Sequence, residues 1–153
     1  MISVTIENIQ EIQARNQQMI AALKPSGALG EAVRVTGAEL QRYAIGITHV
    51  GRYIQSKSGR WRYARPHEEG RGGGALRASH RIAFSDSGAN TATATISIDA
   101  GSVNPLTNQK PSVYGVYEHR RGGEDAFYAR AVRERGTEAL NRGRAALRKG
   151  LTP

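Results

Sequence analysis

Apolar residues recur every three or four positions along three long stretches of this 153-residue chain, a spacing typical of amphipathic helices. The first stretch covers residues 2–23 and ends at a Pro-Ser-Gly turn. The second covers residues 29–54, which as a helix would span roughly 40 Å at about 1.5 Å per residue. The third covers residues 126–149. We therefore predict two N-terminal helices and one long C-terminal helix.

Between the second and third helices, apolar and polar residues alternate, which favours β-strands. In residues 91–99, threonines and a serine face one side and alanines and isoleucines the other. Residues 76–84 are the predicted partner strand, joined through the turn residues 86–90, and residues 113–118 are a predicted third strand. The predicted fold class is α+β, with a small antiparallel sheet of three or more strands. The long C-terminal helix would pack across this sheet in a single domain, residues 1–153.

The segment of residues 55–73 differs in character from its neighbours. Basic residues alternate with Trp61 and Tyr63, and Pro66 and several glycines interrupt any regular pattern. We predict a flexible basic arm that orders against a partner. Trp61 has two interpretations. It either packs on the domain as a cover or anchors an interface, where aromatic residues and arginine dominate the binding energy.

The composition suits one domain with a small core. Apolar residues make up 39% of the chain, and no stretch reaches the roughly 20 consecutive apolar residues of a membrane helix. The first residues lack the basic stretch and apolar run of a signal peptide, so we expect none. The chain has no cysteine and so forms no disulfide, which suits the reducing cytoplasm. We expect a protein that is not embedded in a membrane.

The net charge of +9 is unevenly spread along the chain. Residues 55–85 and 119–153 each carry +5, whereas residues 86–118 carry −2. Most of the positive side chains are arginine, which forms bidentate contacts with phosphate or carboxylate. This pattern indicates either a polyanion or a protein with an acidic rim as partner, and charge alone leaves both open.

The residues form no constellation typical of an enzyme. None of the four histidines stands at metal-ligand spacing from another, and no HExxH motif occurs. Glu118, His119, Glu124 and Asp125 form a dense group of acids with a histidine, and one interpretation is a nuclease-like metal site. The other places Glu124 and Asp125 at the start of the last helix, as N-cap and dipole complement. We favour the second, and predict no catalytic residue, metal or cofactor.

Nucleic-acid binding is the main alternative function. Arg60, Arg62 and Arg65 interleave with Trp61 and Tyr63, a pattern compatible with phosphate contacts and base stacking. No helix-turn-helix, zinc finger or RNP motif is present to read a base sequence. This interpretation is therefore a small, basic protein that binds nucleic acid without sequence preference.

The last predicted helix weakens the case for nucleic-acid binding. Its positive residues encircle the helix instead of forming one stripe. Glu134 and Glu138 also stand three or four residues from Arg130, Arg135 and Arg142, so we predict ion pairs within the helix.

Three short groups of residues, in this order along the chain, carry a resemblance to a known family. They are Gly74, Leu76, Arg77 and Ser79, then Tyr114, Tyr117 and Glu118, then Phe127 and Ala131. Over residues 29–151 the chain resembles the tail-completion or head-tail-joining family of long-tailed bacteriophages, also described as minor tail components. Three features depart from the family pattern. His119 and Arg120 replace a small Gly-Thr pair, Ala126 replaces a proline, and the arm is unusually basic.

The resemblance implies a structural virion protein and not an enzyme. Such a protein forms a homo-oligomeric ring, hexameric by expectation, in the neck that joins head to tail. Its expected partners are the head-tail adaptor or connector, the tail terminator and the tail tube proteins, with possible contact to phage DNA in the lumen. Its expected location is the virion, and the host cytoplasm during assembly.

The predicted interface residues lie in the arm, around the predicted third strand and at the start of the last helix. They are Arg60, Trp61, Arg62, Tyr63, Arg77, Tyr117, Glu118, Arg120, Arg121 and Phe127. We also predict that Glu118 pairs with an arginine of the same or a neighbouring chain.

Overall fold

A computed structural model of the chain describes residues 9–65, 67–86, 91–123 and 126–152. The helices are α1 (Ile9–Ala22), α2 (Ala28–Ile47), α3 (Ala75–Ala78), α4 (Pro111–Arg121) and α5 (Phe127–Leu151). The strands are β1 (Arg52–Gln55), β2 (Trp61–Tyr63), β3 (Arg71–Gly72), β4 (His80–Asp86) and β5 (Ala92–Ile98). The predicted α+β class is confirmed, with two N-terminal helices, small antiparallel sheets and a long C-terminal helix. The predicted start of the first helix and the turn residues 87–90 lie outside the described residues.

The strands form two separate antiparallel sheets. In the first, which we call the arm sheet, β1 lies between β2 and β3. In the second, β4 pairs with β5, and Ile82 stands opposite Ile96. Side chains at alternate positions of β5 are exposed, while those between them pack against α2, as the alternating sequence predicts.

The centre of the fold is the close packing of α2 on α5. Ala32 and Ala44 of α2 and Ala131 and Ala139 of α5 are buried, so small side chains dominate the contact. Gly143 lies so near α2 that a Cβ atom there would stand 2.9 Å from the Ala32 carbonyl oxygen. Small residues let two helices approach each other closely, and such packing leaves little room for substitution.

Polar contacts flank the small-residue contact between α2 and α5. The Tyr43 hydroxyl donates to Glu134 at 2.6 Å, and Arg142 donates to Glu39 at 2.8 Å. The predicted ion pairs within the last helix are confirmed, because Glu134 pairs with Arg130 and Glu138 with Arg135 and Arg142. Exposed pairs of this kind each stabilise a fold by about 0–1 kcal/mol, so the buried small residues matter more.

The predicted second helix is correct as far as Ile47 and wrong beyond it. The Thr48 hydroxyl donates to the Ala44 carbonyl at 2.6 Å, and the Thr48 backbone turns extended, with ψ 126°. The chain then enters β1, whose backbone groups pair with β2 and β3. The apolar spacing continues past the helix through Val50 and Ile54, which are both partly buried although neither lies in a helix.

We predicted a flexible arm over residues 55–73, but two parts of this segment form strands. Its β2 and β3 pair with the two edges of β1, with Tyr53 opposite both Tyr63 and Arg71. Backbone pairing with a strand that precedes the segment orders it within this chain. Strand pairing of this kind depends on residues outside the segment, so its composition alone did not reveal it.

The predicted third strand, residues 113–118, is wrong, because these residues belong to α4. Pro111 occupies the first turn of α4, where its fixed φ favours a helix and its missing N–H costs nothing. Gly115 faces Leu76, and a Cβ atom at this position would stand 2.7 Å from Leu76 Cδ1. The predicted strand at residues 76–84 also begins late, since α3 precedes β4.

We predict opposite effects for two glycine-to-alanine changes in α5. Gly143→Ala should destabilise the fold by about 1–3 kcal/mol, because its methyl group would overlap Thr36 and the Ala32 carbonyl. Gly136→Ala should stabilise it by up to about 1 kcal/mol, since the new Cβ meets only Val132, at 3.7 Å. Urea unfolding of the three proteins measures both effects. A Gly143→Ala variant as stable as the unmodified chain would contradict the packing described here.

Candidate interaction surfaces

Two of the predicted interface arginines have different surroundings in the arm sheet. Arg62 donates two hydrogen bonds to Glu68, at 2.7 and 2.6 Å, and the Arg65 backbone N–H donates to the same carboxylate at 2.7 Å. The Arg62 guanidinium and then the Arg65 N–H lower the pKa of Glu68 to about 2. Arg62 therefore holds the loop between β2 and β3. Arg60 is exposed in the turn before β2.

The two aromatic residues of β2 contribute to the surface unequally. Tyr63 is half exposed and stacks on the buried Tyr53 with ring centroids 4.7 Å apart. Asn104, fully buried, donates to the Tyr53 hydroxyl at 3.3 Å, and burial raises the pKa of Tyr53 and of Tyr114. Trp61 is partly buried, so it packs on the domain with part of its side chain at the surface.

These tyrosines line a small cavity of about 30 Å³, which we call the tyrosine pocket. Six residues that carry the family resemblance or the interface prediction meet at its wall: Tyr63, Gly74, Leu76, Tyr114, Glu118 and Phe127. A cavity of this size holds about one or two water molecules, so the pocket is a packing feature more than a ligand site.

Arg77 binds backbone groups of its own chain. Its guanidinium donates to the Thr48 carbonyl at 2.8 and 3.2 Å and to the Gly46 carbonyl at 3.2 Å. These carbonyls end α2, where a positive side chain satisfies the free acceptors and complements the helix dipole. Arg77 thus joins α3 to the end of α2.

The last turns of α4 carry several exposed residues of the predicted interface. Tyr117 is 63% exposed, and Arg120 also faces solvent. Glu118 pairs with Arg121 of the same chain at 3.2 Å, one of the two arrangements predicted for it. Glu124 and Asp125, proposed as helix cap or metal ligands, lie outside the described residues.

Phe127 is a core residue and not an interface residue. It is 3% exposed and packs against the rings of His80, His119 and Tyr128, with centroids 4.6–5.2 Å away. These rings join the start of α5 to β4 and to the end of α4. The sequence placed an aromatic residue at this helix start but could not show that the other three rings surround it.

His80 is buried in this aromatic cluster and bonded on both ring nitrogens. Its Nε2 lies 2.9 Å from Thr48 Oγ1, and its Nδ1 lies 3.1 Å from the Tyr128 hydroxyl. The Thr48 hydroxyl donates its hydrogen to Ala44, so it must accept from His80. His80 therefore carries its proton on Nε2, and Nδ1 accepts from Tyr128. Burial lowers the pKa of His80 to about 4 and raises that of Tyr128 to about 12.

The apolar side of α1 is largely exposed, although its Met19 lines the cleft to α5. We define the α1 stripe as Ile12, Met19 and Ile20 with Leu23 in the turn that follows, all of them exposed. The cleft between α1 and the last residues of α5 is lined on the α1 side mostly by polar and small residues, and by Met19. Ile20, 60% exposed, is not among the residues that line it.

An open apolar depression lies where α2, α5 and β5 meet. We define the apolar groove by six of its lining residues: Val33, Leu40, Ala94, Ile96, Leu140 and Leu147. Its volume is about 350 Å³, and a depression of about 220 Å³ that includes Tyr128 and Val132 shares three of its residues. The predicted interface residues did not include this groove. In the sequence, the groove was indicated only by leucine and valine residues at helical spacing, and the sequence does not show that they are exposed.

The described residues include no group of three or more His, Asp or Glu side chains placed to hold a metal ion. No helix within the same residues is both long and apolar enough to cross a bilayer.

No protein-family model, curated protein or solved structure matches the chain. The resemblance to phage tail-completion proteins therefore stays a prediction.

We predict that the folded protein loses stability as the pH is lowered, because His80 is buried in its neutral form. The unfolded chain binds a proton at the ordinary histidine pKa of 6.5, whereas the folded chain binds it only near pH 4. The stability is therefore complete above pH 6.5 and is lost as the pH falls toward 4. Urea unfolding should show a loss of up to about 1.4 kcal/mol per pH unit below pH 6.5.

The pH series should stop at about pH 5, since unfolded carboxylates begin to titrate below it. His80→Gln should remove most of the slope above pH 5. His67→Gln, at an exposed loop position, should keep it. If His80→Gln and the unmodified chain lost stability equally over this range, the buried neutral His80 would not be the cause.

Proposed function

We propose that this chain is a structural subunit of a homo-oligomeric ring in the neck of a tailed bacteriophage, where it joins head to tail and helps complete the tail. The observation that supports the homo-oligomer is the exposure of the apolar side chains of the α1 stripe. The family resemblance supplies the phage neck. The proposed role is not enzymatic.

An amphipathic helix normally turns its apolar side to the protein that it belongs to. In α1 the arrangement is different, because the cleft to α5 is lined mostly by polar and small residues together with Met19, while Ile12 and Ile20 are exposed. Contiguous apolar surface that is rimmed by polar residues marks an interaction site. A second molecule that covers the α1 stripe would remove this surface from water.

The position of the resemblance residues supports the neck assignment. Leu76, Tyr114, Glu118 and Phe127, which are far apart in the sequence, line one pocket. The buried titratable group beside it, His80, is bonded to Thr48 and Tyr128 and so has a structural role. These residues hold α3, α4 and α5 together, which is what a rigid ring subunit requires.

The native mass of the purified chain tests the proposal. Light scattering over a range of concentrations should show a discrete oligomer, and Ile20→Glu should raise its dissociation constant at least about tenfold by placing a charge in the contact. Gln17→Glu is the matched control, because it adds the same charge at another exposed position of α1. A chain that stays monomeric at every concentration would contradict the oligomer.

A second candidate function is non-specific binding of nucleic acid, and the arm sheet favours it. The strand register places Arg71 beside Tyr53 and Tyr63 on one face of the sheet, and Arg71 is exposed. A base could stack on Tyr63 while Arg71 contacts phosphate.

Binding to single-stranded DNA at several salt concentrations tests this second candidate. It predicts affinity that falls steeply with salt, and a slope reduced by about one unit in Arg71→Ala. Lys110→Ala, outside the arm sheet, should reduce affinity less. Equal affinity of both variants for DNA at all salt concentrations would exclude the arm sheet as the binding surface.

A further inference from the structure

We propose that the α1 stripe of one copy docks in the apolar groove of a second copy, so that each subunit gives one helix and receives another. This inference rests on the proposed homo-oligomer and names its contact. The α1 stripe and the apolar groove are both exposed apolar surfaces of the described chain.

The apolar groove and α1 match in size. The groove and the depression beside it extend along α5 from Tyr128 to Leu147, which at about 1.5 Å per residue is roughly 29 Å. Ile9–Ala22 has 14 residues and spans roughly 21 Å. The groove can therefore take the whole helix. Leu140 in the groove and Val132 in the depression beside it are 53% and 60% exposed and would be covered.

The two surfaces also match in charge. Each copy carries +9, so most contacts between copies bring positive surfaces together. The helix α1 holds one acid, Glu11, and one base, Arg15, and so is neutral. Among the residues that line the groove, Arg144 alone is charged. The helix α1 can therefore enter the groove of a second copy with little electrostatic repulsion.

The area of the contact favours exchange between copies over capture of a foreign helix. A helix of about 21 Å length and 10 Å diameter that lies in a groove buries roughly 500 Å² on each side. This is less than the roughly 800 Å² per partner of a stable interface. A subunit that both gives and receives a helix buries about twice as much. Closed cyclic symmetry produces this arrangement, since every subunit then uses both surfaces.

The turn after α1 directs the helix away from the groove of its own chain. Hydrogen bonds from Leu23 to Met19, from Lys24 to Ala21 and from Gly27 to Lys24 fix residues 23–27. Gly27 lies so close to α1 that a Cβ atom there would stand 2.7 Å from the Ala21 carbonyl. Within its own chain α1 lies beside Gly150 and Leu151, beyond the end of the groove at Leu147.

Chemical cross-linking tests the docking, because the chain has no cysteine of its own. Two variants, Ile20→Cys and Leu140→Cys, are purified separately, mixed, and treated with a short bis-maleimide. Docking holds the two thiols at high effective concentration, so the mixture should form cross-linked dimer at least about ten times faster than a control mixture. The control pairs Ile20→Cys with Thr95→Cys, on the exposed polar face of β5.

The possible results separate this inference from the proposed function. If light scattering shows an oligomer but both mixtures cross-link equally, the groove is not the docking site, although the homo-oligomer stands. If Ile20→Cys cross-links with itself as fast as with Leu140→Cys, two α1 helices pair and the inference is wrong. A chain carrying both cysteines that cross-links internally at high dilution would show docking within one copy. A strictly monomeric chain would overturn both proposals.

Discussion

The close approach of α2 and α5 is the constraint on which the rest of this structure depends. Alanines and Gly143 fill the contact, so the two helices meet almost backbone to backbone. The sheet of β4 and β5 then packs on α2, and the aromatic cluster around Phe127 fixes the start of α5. Because small residues occupy the contact, the larger apolar side chains of α5, Val132 and Leu140, remain at its edge. There Leu140 lines the apolar groove and Val132 lines the depression beside it.

The surface of the chain divides into regions that are charged and regions that are apolar. Charged residues make up 23% of the chain, and several of its arginines are tied to carboxylates or to backbone carbonyls, as Arg62 and Arg77 are. Exposed apolar surface is concentrated on α1, on α4 and around the groove. A subunit of this kind would associate through its neutral regions while its basic regions stay hydrated.

The sequence predicted those elements whose pattern is local. The alternation of Thr93 and Thr95 with apolar residues predicted the β-hairpin correctly. The helical spacing of apolar residues over a long stretch predicted α5 correctly. Residues 113–118 were predicted as a strand because valine and tyrosine favour strands. They form a helix instead, and the contact of Gly115 with Leu76 that accommodates this helix joins distant parts of the sequence. The interface predictions failed for the same reason at Phe127, whose surrounding rings come from distant parts of the chain. Amphipathicity revealed the apolar side of α1 but not its direction.

Hydrogen exchange of the α1 amides, compared at low and high protein concentration, tests the central claim most directly. Within one copy α1 has few contacts, so its amides should exchange through local unfolding at little cost. Burial of the α1 stripe by a second copy should slow this exchange as the concentration rises, while the amides in the centre of α2 stay unchanged. Exchange of α1 that is fast and independent of concentration would contradict the account, because α1 would then have no partner in solution.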